Sequence, residues 1–167
     1  PLVLVLGFVT FLFVDHISEG VDIALRVGPL QDSSLIALPI LSYRRRLVAS
    51  PAYLSARAAP EWPEDLLDHS LLAFSFMTAE HGWTLENGAE TRTIRFEPTL
   101  AMNDYAGIAA SLAQDGGIGD LPPIVRPDLL REGKLVETMP GWRLRRETLS
   151  LVHVGNRHTP RAVRLFK

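Results

Sequence analysis

The stretch that most constrains the fold is residues 19–54, which holds two apolar runs separated by a glycine-proline pair and a polar turn. The first run, residues 21–27, is apolar and rich in β-branched side chains except for Asp22 and Arg26, and Gly28-Pro29 follows it. Such a run, ended by Gly-Pro, is typical of a β-strand. Because strands without a polar face are usually covered by helices on both sides, this run favours an α/β fold.

The second half of this stretch predicts another strand and the start of a helix. Residues 35–41 are again apolar, and residues 43–49 have the composition of a strand with one face in solvent. Ser50-Pro51 then combines a good N-cap with a proline at the first helical position, where its missing N–H costs nothing. The predicted order is strand, loop, long strand and helix.

The rest of the chain continues this alternation. Ile108 and Leu112 put one apolar stripe on a helix that Asp104 can cap, and Asn87-Gly88 suits a tight hairpin turn. Because strands alternate with helices, we expect an open, mainly parallel sheet. Further strands are predicted over residues 71–76, 82–85, 92–96, 100–103, 118–121, 135–137 and 147–154, and helices over residues 51–58, 105–114, 122–131 and 160–166.

Residues 1–14 are strongly apolar, but they predict a buried strand rather than a targeting or membrane segment. A signal peptide needs a basic start and a small-residue cleavage site, and a transmembrane helix needs about 18 apolar residues or more. Neither pattern is present here. The alternation of side chains fits a strand buried on both faces.

Composition limits the classes of function. The chain has 167 residues, of which 47% are hydrophobic, which is enough for one domain or two small lobes. Its formal net charge of −2 supplies no strong attraction to nucleic acid. Without any cysteine, disulfides and thiolate metal sites are excluded.

No catalytic or cofactor motif stands out in the sequence. His153 and His158 lack a carboxylate or thiolate partner for a metal, and the adjacent residues Asp15-His16 point apart on a helix. Residues 117–119 precede a predicted strand and lack the third glycine of a dinucleotide fingerprint. We therefore expect neither an enzyme nor a cofactor or metal site.

Seven short segments, taken in order, resemble the regulatory domain of LysR-type transcriptional regulators. They cover residues 19–28, 32–35, 50–54, 103–106, 117–122, 133–136 and 153–157. The resemblance extends over essentially the whole chain. It implies two Rossmann-like α/β lobes joined by two crossing strands, the fold of type 2 periplasmic binding proteins.

The resemblance also implies how the lobes are arranged along the chain. Lobe one would comprise residues 1–43 and 154–167 and would lack its first strand and helix, and lobe two would comprise residues 44–153. Residues 43–49 would carry the chain into lobe two, and residues 148–154 would bring it back. The winged helix-turn-helix of the family is absent, so contact with DNA is expected only through that missing domain. We further expect a cytoplasmic homodimer or homotetramer that does not contact a membrane.

Candidate ligand-binding residues follow from the positions of the predicted strand ends. Ligands of open α/β sheets bind beyond the carboxyl ends of the strands, near helix N-termini. The resemblance implies that these ends face a cleft between the lobes that takes a small, commonly carboxylated effector. Plain capping is an equally good interpretation of Asp104, which makes Asn103 the stronger candidate. The candidates are Thr10, Val27, Gly28, Pro29, Asn103, Asp104, Leu121 and Pro122.

One departure from the family pattern lies beside this expected cleft. Where members of the family usually have two polar residues, this chain has Phe11-Leu12. The sequence therefore leaves the identity of the effector open.

The hypothesis at this stage is an effector-binding and oligomerisation domain of a LysR-type regulator. The alternative is a solute-binding protein of a transport system, which shares the two-lobed architecture. A signal sequence upstream of Pro1 would favour the alternative, and a helix-turn-helix there would favour the regulator.

Overall fold

A computed structural model describes residues 24–27, 35–74 and 81–154. By its internal contacts the chain divides into two compact units, one formed by Pro1–Tyr43 with Glu147–Lys167 and the other by Arg44–Arg146. The lobe boundaries derived from the sequence stay a prediction. The strand expected within residues 1–14 and the helix expected over residues 160–166 lie outside the described residues.

The described ranges contain eleven strands, three α-helices and one 3-10 helix, Pro63–Asp68. The strands are β1 Ala24–Val27, β2 Leu35–Arg44, β3 Arg46–Ala49, β4 Leu71–Phe74, β5 His81–Asn87, β6 Glu90–Phe96, β7 Leu100–Met102, β8 Ile118–Leu121, β9 Val136–Glu137, β10 Arg143–Leu144 and β11 Arg146–Val154. The helices are α1 Pro51–Ala56, α2 Tyr105–Leu112 and α3 Pro127–Arg131.

The first unit contains a three-stranded sheet in the order β1-β11-β2. β1 runs antiparallel to β11, and Val27 at the end of β1 is opposite Leu149. Leu151 is buried in this sheet and packs against Leu25 and Leu38. The apolar runs at residues 21–27 and 35–41 therefore belong to one small sheet where the structure describes them.

The second unit contains a five-stranded sheet in the order β7-β4-β8-β3-β9. β4 runs parallel to β7 and β8, whereas β3 runs antiparallel to β8 and β9. The prediction of a mainly parallel sheet is therefore wrong, because this sheet is evenly mixed. Alternating strands and helices indicate that crossovers exist, but they do not determine which strands become neighbours or in which direction these run.

Successive side chains of these strands point to opposite faces of the sheet, so each face has its own hydrophobic core. On one face, Leu47 and Ile118 pack against Trp83 of the β5–β6 hairpin. On the other face, Val48 and Leu72 pack against helix α2. The sheet of the second unit is therefore covered on both sides. The prediction that the strand over residues 43–49 has one face in solvent is wrong for Leu47, Val48 and Ala49, which are all buried.

Two predicted helix starts and one predicted stripe are confirmed. The Ser50 hydroxyl accepts a hydrogen bond from the Tyr53 N–H at 3.0 Å, and Pro51 occupies the first position of α1. Asp104 caps α2. Ile108 and Leu112, on the predicted apolar stripe, are fully buried.

Two local predictions need correction. The hairpin turn consists of Gly88-Ala89, because Asn87 still pairs with Glu90. Helix α3 begins at Pro127 and not at the proline pair 122–123, because a residue that precedes proline is driven out of the helical region. Among the residues that the structure describes, no helix is long and apolar enough to cross a membrane.

Gly117 lies between helix α2 and β8, immediately before β8. Its substitution measures how closely the backbone is packed at this point. Its φ is +143°, and a Cβ placed there would overlap the carbonyl oxygen of Ser70. Gly133 also has a positive φ, +70°, but nothing lies within 4 Å of its Cβ position. We predict that Gly133→Ala lowers the free energy of unfolding by only about 1–2 kcal/mol, the cost of the left-handed conformation.

Gly117→Ala should cost clearly more, because it adds a backbone overlap to the unfavourable φ. Urea denaturation of both variants measures the difference. Equal losses of stability in the two variants would show that β4 and β8 are less tightly packed at this point.

Candidate functional site

The carboxyl ends of β4, β7 and β8 meet at one edge of the second unit's sheet because these three strands are parallel. Asn103 and Asp104 follow β7 at this edge, Leu121 ends β8 and Pro122 follows it. Helix α2 also begins here. We call residues 103–104 and 121–122 the carboxyl edge.

Asp104 uses its carboxylate to cap helix α2. Oδ1 accepts a hydrogen bond from the Ala106 N–H at 3.1 Å, and Oδ2 accepts one from the Gly107 N–H at 2.9 Å. An anionic ligand would need these same donors. The first helical N–H, that of Tyr105, has no acceptor within the helix because of its position.

Asn103 differs from its neighbour because its side chain is exposed and makes no hydrogen bond with the residues that the structure describes. Leu121 is only 2% exposed, and its side chain belongs to the core beneath α2. Pro122 is also buried. At this edge, therefore, the Asn103 amide is the side chain most open to a ligand.

The structure brings together four of the eight candidate residues, namely the four of the carboxyl edge. Val27, buried at the end of β1, belongs to the other unit. Thr10, Gly28 and Pro29 lie outside the described residues. A role in ligand binding stays a prediction for all eight.

A buried carboxylate that we did not predict organises this edge. Asp120 precedes the last residue of β8 and is 1% exposed. It accepts hydrogen bonds from Arg45 Nη1 at 2.5 Å, from the Tyr105 hydroxyl at 3.1 Å and from Trp83 Nε1 at 3.2 Å. The three donors come from three separate parts of the chain, so one carboxylate links the start of β3, helix α2 and the hairpin to β8.

Tyr105 is the contact between this carboxylate and α2. Burial, and secondarily the negative charge of Asp120, raise the pKa of the Tyr105 hydroxyl above its ordinary value. The hydroxyl therefore stays protonated and donates. Its ring stacks on Phe74 with 4.4 Å between ring centroids and 17° between ring planes. Tyr105 thus fixes the first residue of α2 to both β4 and β8.

The sequence Ile118-Gly119-Asp120-Leu121 indicates that Asp120 is buried. An aspartate inside so short an apolar strand is buried, and a buried carboxylate needs donors. The strand predicted over residues 43–49, with one face in solvent, would instead place the arginines at 44–46 on a solvated face. That interpretation is wrong for Arg45, whose side chain is 25% exposed and pairs with Asp120.

The described residues hold no cluster of three or more His, Cys, Asp or Glu side chains that could bind a metal. His153 is buried in β11. Its proposed neighbour His158, like the pair Asp15-His16, lies outside the described ranges.

Comparison with known proteins identifies the family. A family model described as the LysR substrate binding domain matches residues 8–167. The chain belongs to this family. It is the effector-binding domain of a LysR-type transcriptional regulator, and the predicted type 2 periplasmic-binding-protein fold is confirmed.

Individual relatives agree with this assignment. An uncharacterised HTH-type transcriptional regulator of Haemophilus influenzae is 30% identical over 147 residues, which is 88% of this chain and 51% of that protein. The regulatory domain of AphB from Vibrio vulnificus is 33% identical, with a TM-score of 0.74 over 89% of this chain and 73% of that one. Full-length AphB of Vibrio cholerae, a virulence activator, is 30% identical, with a TM-score of 0.77 over 89% of this chain and 50% of its own.

The family and these relatives decide two of the predictions. They are named as transcriptional regulators, so the prediction that the chain is not an enzyme is confirmed, and the solute-binding alternative loses its support. The chain spans about half the length of the curated relatives that it matches.

The Asp120 network predicts a large difference between two conservative substitutions. Asp120→Asn keeps the shape of the side chain but leaves the Arg45 guanidinium without its buried counter-charge, which should cost about 3 kcal/mol of unfolding free energy. Asp128→Asn breaks a pair with Arg126 at 2.7 Å that is largely in solvent, and its effect should be much smaller. Chemical denaturation of both variants tests this, and similar losses would contradict the role assigned to Asp120.

The raised pKa of Tyr105 predicts a loss of stability in alkali. A tyrosine in the unfolded chain ionises near pH 10.0, whereas folded Tyr105 keeps its proton to higher pH. The stabilisation is therefore complete below pH 10.0 and is lost as pH rises above it, at up to about 1.4 kcal/mol per pH unit. In Tyr105→Phe this decline in the free energy of unfolding should be shallower. An identical decline in both proteins, followed by urea denaturation at several alkaline pH values, would contradict the prediction.

Proposed function

We propose that this domain senses a small organic, carboxylated effector and that the carboxyl edge of the second unit supplies part of the binding site. The observation that carries the proposal is the exposed Asn103 amide beyond the end of β7, next to the N-terminus of α2. Edges of this kind bind ligands in open α/β sheets. Membership of the LysR substrate binding domain family supports an effector as the ligand.

The donors at this edge fit a carboxylate in one orientation. The Asn103 amide and the Tyr105 main-chain N–H are neutral donors without an acceptor among the residues that the structure describes, whereas the Asp104 carboxylate is exposed and already accepts from two N–H groups. We therefore expect an effector carboxylate to bind on the side of Asn103 and to avoid Asp104.

The Asp120 network supports the precision of such a site. Through Tyr105 and its stacking on Phe74, it fixes the residue that follows Asn103-Asp104 in the chain. Binding sites discriminate best when their first contacts are held by a second layer of packed and hydrogen-bonded groups. Asp120, Tyr105 and Arg45 would then position the edge without touching the effector.

The response of the full-length regulator follows from general principles of linkage. An effector that contacts both lobes, as the resemblance implies, would favour one conformation by its differential affinity. We propose that subunit contacts in a cytoplasmic homodimer or homotetramer pass this bias to a DNA-binding domain outside this chain. The chain's net charge of −2 supports a role for this domain in sensing rather than in binding DNA.

Thermal denaturation with a panel of small mono- and dicarboxylic acids tests the proposal. An acid that binds the native state at 100 times its Kd adds about 2.7 kcal/mol of stability and so raises the Tm by several degrees. We predict that Asn103→Ala abolishes the rise for every acid that produces one in the parent chain, because the amide donor is lost.

Gln114→Ala is the matched control for this experiment. It removes an exposed amide beyond the other end of α2, so the rise in Tm should persist. If no acid stabilises the parent chain, or if Asn103→Ala responds as the parent does, the carboxyl edge is not the effector site.

A further inference from the structure

A concave surface of the second unit is lined by tryptophan and glutamate. It has a volume of about 560 Å³, within the range of ligand pockets, and lies between the segment after α1, the β5–β6 turn and the segment after β9. We call it the tryptophan groove, after Trp62 and Trp142. The two indole rings lie 6.0 Å apart between ring centroids with 59° between their planes.

The two tryptophans differ in exposure in a way that suits a ligand site. Trp142 is 6% exposed and forms a fixed wall, whereas Trp62 is 53% exposed and presents its ring to solvent. Tryptophan is enriched among the residues that contribute most to binding at protein interfaces. The pair offers two π faces to whatever enters the groove.

The charge of the groove has one sign. Its charged lining residues are Glu61 and Glu137, and no lining residue in the described part of the chain is cationic. Glu137 lies 3.9 Å from the Arg46 guanidinium in an exposed pair that contributes little, and Glu61 makes no ion pair with any described residue. An anionic ligand would therefore be repelled, and a cation would be attracted.

The segment that supplies Trp142 is held in a fixed and unusual conformation. The Thr138 N–H donates to the Leu47 carbonyl at 2.8 Å, and the Trp142 N–H donates to the Met139 carbonyl at 2.8 Å. Met139 has a φ of +49°, a region that side chains other than glycine, asparagine and aspartate seldom adopt. Backbone strain of this kind concentrates at binding sites, where the surrounding structure maintains it.

A buried hydroxyl in the wall of the groove lacks a partner. Thr138 is 4% exposed, and its Oγ1 makes no hydrogen bond with the residues described. A buried hydroxyl without a partner is unfavourable. Because this oxygen is closed to solvent, Thr138 contributes to the wall of the groove and is not itself a contact of the ligand.

The tryptophan groove is distinct from the carboxyl edge. Glu137 belongs to β9 and Asn103 follows β7, and these are the two outermost strands of the five-stranded sheet. Four strand spacings separate them, roughly 19 Å. The two sites also differ in chemistry, because the groove has two carboxylates beside its indole rings, whereas the carboxyl edge has neutral donors beside the single carboxylate of Asp104.

We propose that the tryptophan groove binds a small organic cation, with an ammonium or quaternary ammonium head between Trp62, Trp142 and Glu61 and an apolar body against the groove floor. Aromatic faces attract such cations through the ring quadrupole, and a nearby carboxylate adds Coulomb attraction. The domain would then have a ligand site separate from that of its carboxylated effector.

The test compares choline with 3,3-dimethylbutan-1-ol, which has the same shape but no charge. Tryptophan fluorescence is the readout, because the chain has three tryptophans and the third, Trp83, is buried in the core. Choline should produce a saturable change at millimolar concentration, and the neutral alcohol should not. No saturable change with choline, or an equal response to both compounds, would overturn the proposal.

Two variants locate the site, and two others are controls. Trp62→Leu keeps apolar bulk without the π face, and Glu61→Gln removes the unpaired charge; each should weaken choline binding by about three- to tenfold. Glu97→Gln, an exposed glutamate outside the groove, is the matched control and should bind choline like the parent chain. Unchanged affinity for choline in both Trp62→Leu and Glu61→Gln would overturn the proposal. Asn103→Ala should bind choline like the parent chain, whether or not the carboxyl edge binds the effector.

Discussion

The buried Asp120 carboxylate is the interaction on which the candidate site depends. A carboxylate that is 1% exposed is stable only because three donors surround it, and these come from residues 15, 37 and 75 positions away in the chain. Its partners are the residue just before β3, the first residue of α2 and the β5–β6 hairpin. Fixing them together sets where α2 begins, and therefore where Asn103 presents its amide.

Local features of the fold could be predicted from the sequence. The position of Asp120 in a short apolar strand indicates a buried carboxylate that needs donors, but the sequence does not identify those donors. Ser50-Pro51 and Asp104 identify helix starts because capping is decided within four residues, and the apolar pair Ile108 and Leu112 identifies the buried face of α2. The direction of β3 and the partners of Asp120 depend on which strands become neighbours. Apolar periodicity carries no information about that choice, which explains why Arg45 was assigned to a solvated face.

The two sites that we propose in the second unit differ in charge. The carboxyl edge offers neutral donors beside a helix N-terminus, and the tryptophan groove offers π faces and carboxylates near the opposite outer strand. A regulator with both sites would respond to an acid and to a cation, and their effects would be coupled only if both ligands favour the same conformation. All the residues that form the two proposed sites belong to this one unit.

The most direct measurement is an NMR titration of the isotopically labelled chain with an acid that raises its melting temperature. We predict that the NMR signals of the Asn103 side-chain amide and the Tyr105 main-chain amide shift most, while the signals of the main-chain amides within residues 137–142 do not shift. Shifts confined to residues 137–142, or to positions remote from both sites, would contradict the assignment of the effector to the carboxyl edge.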